Sequence, residues 1–255
     1  MTASYGKPTR PGKIRIDQLL VERGLAETRA RAQALVLAGR VFRGHERLDK
    51  AGLQVGAEAE VSVREAEAYV SRGAHKLIAG LDAFGIDPAG LVCLDVGAST
   101  GGFTDVLLRR GAARVYAVDV GYGQLDARLR SDPRVTVLER TNARHLTAAQ
   151  VPEPIGLVVC DASFISLRTI LPAALALTAP GAALVALIKP QFEVGKGRVG
   201  KGGVVRDPAL HDEVCAEIWA WLSSLPGWRV LGIEPSPLLG PAGNREFLIG
   251  AVQGA

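Results

Sequence analysis

The chain has 255 residues, 48% of them hydrophobic, and a formal net charge of +4, a length that suits one large domain or a medium one joined to a small one. Its three cysteines (Cys93, Cys160, Cys215) lack C-x-x-C spacing and its four histidines stand apart, which argues against a disulfide scaffold or zinc site and for reduced thiols in the cytoplasm. No charged-then-apolar leader opens the chain and its longest apolar stretch, residues 173–188, is cut by Pro180-Gly181, so no membrane span is expected.

Residues 1–12 hold Gly, two prolines, Lys7 and Arg10 without an apolar period, and are expected to form a mobile basic tail. Residues 16–21 read as a short helix ended by Gly24. Thr28 then caps a second helix over residues 29–38, stopped by Gly39. Arg29 and Arg31 fall in its first turn, where the helix dipole disfavours cations unless a polyanion lies opposite. Short alternating pieces at 40–44 and 52–63 read as strands. Residues 1–64 carry 12 Lys+Arg against 7 Asp+Glu, and the remainder 18 against 19, so the basic surplus belongs to the N-terminal quarter. That asymmetry suggests a nucleic-acid-binding module on a near-neutral body, with an ordinary basic surface as the alternative.

The runs Asp17-Gln18-Leu19-Leu20-Val21-Glu22-Arg23-Gly24-Leu25 and Thr28-Arg29-Ala30-Arg31-Ala32 through Leu35-Val36-Leu37-Ala38-Gly39-Arg40-Val41 resemble the RNA-binding domain named after small-subunit ribosomal protein S-four. The resemblance gives a small α+β domain over residues 13–64. It implies RNA contacts at Arg15, Arg29, Arg31, Arg40, Arg43 and Lys50, with affinity drawn largely from phosphates and therefore sensitive to salt.

Residues 65–70 read as a linker, and Ser71 as the cap of a helix through Lys76, Leu77, Leu81 and Phe84 that ends at Gly85. Next comes the stretch that organises the body, residues 91–104: a buried strand closed by Asp95, then a glycine-rich turn that opens a helix over 102–110. Further strands are expected at 114–119, 135–138, 156–161 and 183–189, with helices at 124–130, 167–177 and 208–224. Such alternation signals a doubly wound parallel sheet. The last two strands, 228–234 and 246–252, have no helix between them, so the sheet is expected to close with an antiparallel hairpin.

The turn reads Gly97-x-Ser99-x-Gly101-Gly102, with Ser99 where a dinucleotide fingerprint has its second glycine and Asp95 two residues before the first. An acid there faces a pyrophosphate badly and suits a cationic ligand. A second acid, Asp119, ends the next strand at the distance where such folds grip a ribose. Together these features resemble the S-adenosylmethionine site of class I methyltransferases, whose fold is α/β and Rossmann-like. The resemblance puts Asp95 near the methionine amino end, with Gly97, Ala98, Ser99, Gly101, Gly102 and Phe103 at the floor and Asp119 with Val120 at the ribose. A structural turn or another nucleotide remains the alternative for the turn alone. Asn142 falls where this fold contacts adenine, although simple turn chemistry explains it as well.

Asp161 and Lys189 end neighbouring strands, which places an acid beside an amine at the ligand-binding edge; partial desolvation makes such an amine a better base, and a structural ion pair is the alternative. The glycine-rich loop 195–203 satisfies G-x-x-x-x-G-K, but Gly202 stands where a P-loop needs Ser or Thr. Its Lys196, Arg198 and Lys201 are read instead as a cationic flap over RNA, with a plain surface loop as the alternative.

Residues 71–77, 95–104, 160–166 and 188–193 (Ser-Arg-Gly-Ala-His-Lys-Leu, Asp-Val-Gly-Ala-Ser-Thr-Gly-Gly-Phe-Thr, Cys-Asp-Ala-Ser-Phe-Ile-Ser and Ile-Lys-Pro-Gln-Phe-Glu) resemble the TlyA family of haemolysin A-like ribosomal RNA methyltransferases. In that family an S-four-type domain precedes an FtsJ-like methyltransferase domain, here residues 71–255. The resemblance implies S-adenosylmethionine as cofactor, methylation of the ribose 2′-O of cytidine in 16S rRNA, 23S rRNA or both, ribosomal subunits as partner, and a catalytic tetrad Lys76, Asp161, Lys189 and Glu246. In it Lys189 is the base, Lys76 acts on it by like-charge repulsion, and Asp161 and Glu246 orient the lysines. The rival classes are an inactive RNA-binding assembly factor, which would not need the tetrad, and a cytolysin, which would need a membrane-inserting stretch.

Overall fold

The computed structural model describes residues 12–63, 69–195 and 197–254. Most of the expected tail, linker residues 65–68 and Lys196 lie outside the described residues. The chain divides into two compact units, Met1–Ala68 and Tyr69–Ala255.

In the smaller unit β1 (Lys13–Arg15) runs straight into α1 (Ile16–Glu22), which packs against α2 (Arg29–Leu37). Thr28 caps α2 by accepting from the Arg31 amide at 3.1 Å, so the hydroxyl satisfies one of the helix's free donors. Strands β2 (Val41–Arg43), β3 (Glu46–Arg47), β4 (Gln54–Gly56) and β5 (Ser62–Val63) complete it, ordered β3-β2-β5 in one sheet and β1-β4 in the other. Ile16, Leu20, Ala32, Val36 and Val41 are fully buried and make its core.

The larger unit is built on a seven-stranded sheet of order β11-β12-β10-β9-β6-β7-β8. In chain order its elements are α3 (Ala74–Phe84), β6 (Val92–Val96), α4 (Gly102–Arg109), β7 (Arg114–Val118), α5 (Ala127–Arg130), β8 (Val135–Leu138), β9 (Ile155–Cys160), α6 (Leu167–Leu175), β10 (Thr178–Ile188), α7 (Pro190–Glu193), α8 (Pro208–Ser224), β11 (Trp228–Pro235) and β12 (Phe247–Gln253). The five strands from β10 to β8 pair in parallel, and β12 runs antiparallel between β10 and β11. The expected antiparallel closure is therefore present.

Successive strand residues point to opposite faces, and the apolar runs fill both. Leu94, Val96, Val158, Cys160 and Leu184 pack with α6 and α8, whereas Cys93, Val115, Leu157, Val159 and Val185 pack with α3 and α4. Leu77 and Leu81 of α3 are 0% and 1% exposed, and burial of each contributes about 1.5–3 kcal/mol. This packing holds the first turn of α3, with Lys76, over the carboxyl edge of the sheet.

Three local expectations are corrected. Ser71 does not cap α3: Gly73 takes the N-cap position, and the Ala74, His75 and Lys76 amides bond back three residues to Ser71, Arg72 and Gly73, so a tight turn leads into the helix. The helix expected at 124–130 starts only at Ala127, because Asp126 caps it by accepting from the Arg128 amide at 2.9 Å. Pro180-Gly181, read as a turn between helix and strand, lies inside β10; the register with β9 shifts between Thr178 and Ala183, with Gly181 at φ +80°.

Candidate active site

The strand ends build two clefts that meet. The larger, about 870 Å³, is lined by Lys76, Asp161, Ser163 and Lys189, by the glycine turn, and by the loop from Pro237 to Pro241. The smaller, about 440 Å³, is lined by Asp119, Val120, Gln124, Asn142, Ala143 and Ile170 among others. Gly97, Ser99, Asp161 and Ser163 border both.

The glycine turn follows from its residues. Gly97 sits at φ +83°, and a Cβ there would lie 3.0 Å from the Ala162 Cα, so only glycine lets β6 turn this close to the end of β9. Ser99 also takes a left-handed conformation, φ +49°, and Asp119 holds it there. The Asp119 carboxylate accepts from the Ser99 amide at 2.8 Å and the Gly121 amide at 2.7 Å. It thus fixes the turn while walling the smaller cleft.

Asp95 differs from its expectation. It is fully buried, lines neither cleft, and accepts from Thr104 Oγ1 at 2.7 Å, while its other oxygen has no partner among the described residues. Desolvation, above all, pushes its carboxyl up to about 7, and the nearby Asp161 and Asp119 charges add to the shift. The strand buries it beneath the glycine turn. A ligand's amino group in the clefts would not touch it.

Gly97, Ala98, Ser99, Gly102 and Phe103 line the larger cleft, and Asp119, Val120 and Asn142 the smaller. Gly101 is the N-cap of α4, in left-handed conformation, and lines neither. Asn142 accepts from the Arg144 amide at 3.1 Å while facing the cleft, so both readings of it hold in the geometry.

The tetrad forms two ion pairs. Lys76 Nζ lies 2.6 Å from Glu246 Oε2, and Lys189 Nζ 2.6 Å from Asp161 Oδ1. Lys189 also donates to Ser163 Oγ at 2.9 Å and to the Asp161 carbonyl at 3.3 Å. The like-charge action of Lys76 on Lys189 meets a charge already compensated by Glu246, which is 2% exposed. Glu193 explains how the second pair is assembled. It accepts from Ser166 Oγ at 2.6 Å and the Leu167 amide at 2.8 Å, latching α7 and the preceding Lys189 to the segment after β9. Burial pushes its carboxyl upward.

A buried asparagine joins two further loops. Asn244 accepts from the Val205 amide at 3.1 Å and donates to the Gly203 carbonyl at 3.0 Å and the Pro241 carbonyl at 3.2 Å, tying the end of the 195–203 loop to the cleft loop before Glu246. Within that basic loop Arg198 pairs with Glu213, and Lys201 is exposed. Sequence reasoning passed over Ser163, Gln124, Asn244 and the 237–241 loop. Ser163 stood inside the quoted Asp-Ala-Ser-Phe run, and the loop was signalled only by its proline and glycine content.

In the smaller unit the expected RNA contacts are partly spoken for. Asp17, fully buried, receives Arg15 at 2.9 Å, Arg29 at 3.1 Å and Gln33 Nε2 at 2.8 Å, and chiefly the Arg15 hydrogen bond holds its carboxyl well below the usual range. Arg43 pairs with Glu46 at 2.6 Å. Arg40 is half-buried, while Arg31 and Lys50 are exposed.

An FtsJ-like methyltransferase family model matches residues 69–253, and an S4 domain model residues 14–61. The 16S/23S rRNA (cytidine-2′-O)-methyltransferase TlyA of Mycobacterium tuberculosis is 52% identical over 239 residues, covering 93% of this chain and 89% of that one. The chain belongs to the TlyA family. Another relative carries a different label: Hemolysin A of Brachyspira hyodysenteriae is 37% identical over 92% of this chain and 98% of its own. A solved structure assigned as a hemolysin from Streptococcus thermophilus superposes with a TM-score of 0.72 at 40% identity, covering 96% of this chain and 90% of that one. An O-methyltransferase from Bacillus cereus in complex with SAH shares the fold at 19% identity and a TM-score of 0.50, over 74% and 84% of the two chains. This TlyA-family chain is thus a methyltransferase by family, and its larger unit shares its fold with the Bacillus cereus protein. Among its described residues no helix is long and apolar enough to cross a membrane, and no cluster of three or more His, Cys, Asp or Glu could hold a metal.

Proposed function

We infer that the protein transfers a methyl group from S-adenosylmethionine to the ribose 2′-O of a cytidine in 16S or 23S rRNA. The observation that carries this reading is the pair of lysine–carboxylate contacts whose two lysines line the larger cleft, one of them held by Asp161 where the clefts meet. The cofactor fits the residues present: the glycine turn borders both clefts with its backbone at Gly97, Asp119 offers a carboxylate to hydroxyls, and Asn142, Ala143 and Ile170 line the same smaller cleft. Bound there, it would supply an electrophilic methyl group on a sulfonium centre.

The chain's own residues then do the rest. A 2′-hydroxyl is a weak acid, so it needs a base held in line with the methyl group. We assign that role to Lys189, which follows the end of β10 and whose amine is held by Asp161 and Ser163. Lys76, fixed by Glu246, lines the same cleft and offers a cation to the substrate's backbone oxygens. Arg31 and Lys50 of the smaller unit and Lys201 of the glycine loop supply phosphate contacts.

The test is incubation with labelled S-adenosylmethionine and unmethylated ribosomal subunits, with nuclease mapping of the label. A 2′-O-methylcytidine product is expected, and label on a base would overturn the reading.

A further inference from the structure

Three oxygens surround the Lys189 amine: it donates to Ser163 Oγ at 2.9 Å and to the Asp161 carbonyl at 3.3 Å, and Asp161 Oδ1 lies in ion contact at 2.6 Å. A base must instead present a lone pair to the proton it takes. A neutral amine keeps two hydrogens and one lone pair, and of the three oxygens around it only one that carries its own hydrogen can meet that lone pair. A carboxylate and a carbonyl can only accept, whereas a hydroxyl can accept or donate. Ser163 is the reversible member of the set. Its own hydroxyl hydrogen has no acceptor among the described residues, and the residue borders both clefts, where the reacting oxygen and the methyl group must meet.

We propose that Ser163 is a catalytic residue that carries the substrate's 2′-hydroxyl proton to Lys189. This rests on the 2′-O reading above. With Lys189 as the free amine, Ser163 turns to donate its O–H to Nζ and accept from the 2′-hydroxyl. As the 2′-oxygen bonds to the methyl carbon and the carbon–sulfur electron pair returns to sulfur, the 2′-proton moves to Ser163 Oγ and the Ser163 proton to Nζ. Lys189 ends as the ammonium, and Ser163 regains a hydroxyl. Asp161, which cannot donate, keeps the amine in place throughout.

The experiment uses the full chain, labelled S-adenosylmethionine and unmethylated ribosomal subunits in single turnover. Ser163→Ala is expected to slow transfer roughly 10-fold or more, short of the 10²–10⁴ tied to a general base itself. Cofactor affinity by calorimetry and KM for the subunits should stay unchanged. Ser163→Thr, which keeps a hydroxyl, should recover most of the loss. In mixed light and heavy water the unaltered protein should give a bowed proton inventory, from two protons in flight, and Ser163→Ala a straight one. Transfer by Ser163→Ala at the unaltered rate, an equal loss of cofactor affinity, or the same inventory in both proteins would overturn the relay. If Lys189→Ala is inactive and the product is 2′-O-methylated, such a result removes the relay alone; label on a base removes the reading beneath it.

Discussion

Lys189 and Lys76 both end in ion pairs, yet they differ in their surroundings. Lys76 meets Glu246 in a buried contact, whereas Lys189 is held by a partly exposed carboxylate and by two oxygens of the same short segment. Lys189→Ala is expected to leave cofactor binding nearly intact and to cut transfer by roughly 10² or more. Lys201→Ala, in the exposed glycine loop, should not reproduce that loss; equal transfer rates for Lys189→Ala and the unaltered protein would remove the base. Asp95 makes a different kind of statement. Its carboxyl, raised from 3.8 to about 7, binds its proton more tightly in the folded chain than in the unfolded one. The folded state is therefore favoured below about pH 4, and that advantage is lost as pH rises through about 7. Asp95→Asn has no such loss. Urea unfolding without cofactor should show the variant gaining on the unaltered protein between about pH 4 and pH 7, by up to about 4 kcal/mol. A stability difference flat across that range would show that Asp95 does not carry the proton. Asp95 was legible as a strand-ending acid, but its depth was not, because sequence spacing records position along a strand and not what the following turn lays over it.

At the scale of elements, strands and helices with their own end signals were readable. The expected limits of β8 and α8 match the structure, and α8 carries its start in Asp207-Pro208, a cap followed by a residue pre-set for the first helical turn. Ser71 offered the same signal, and a tight turn through Gly73 set it aside. α7 was unreadable, since a four-residue helix has no period, and its place is set by the distant Glu193–Ser166 contact. Long-range pairing of this kind also governs the loop before β12. Gly240 passes so close to Glu246 that a methyl group would collide with Oε1. Gly240→Ala is expected to push the loop or Glu246 aside, loosen the partner of Lys76, and lower kcat by about 10-fold or more while cofactor affinity holds. Unchanged kcat would show that the Lys76–Glu246 contact tolerates a shift of this loop.

Over the whole molecule, the net charge of +4 conceals a basic first quarter and a near-neutral remainder, a division the sequence already displayed. What charge counting could not show is which cations are free to meet phosphate. Arg15 and Arg29 share the buried Asp17, and Arg43 is matched by Glu46, so each of these carries less net charge to a polyanion than its formal value. Arg31 and Lys50 are exposed and enter no ion pair among the described residues. If both meet phosphates, each displaces a counterion from the RNA on binding. Arg31→Gln and Lys50→Gln should each weaken binding to ribosomal subunits and flatten the slope of log affinity against log salt by about 1. Arg43→Gln, which also frees Glu46 to repel the backbone, should weaken binding as well. Because all three changes fall in the smaller unit, S-adenosylmethionine affinity measured without RNA should not move. Salt slopes identical to that of the unaltered protein in both Arg31→Gln and Lys50→Gln would take these cations out of the RNA surface and shift the search to the loop carrying Arg198 and Lys201.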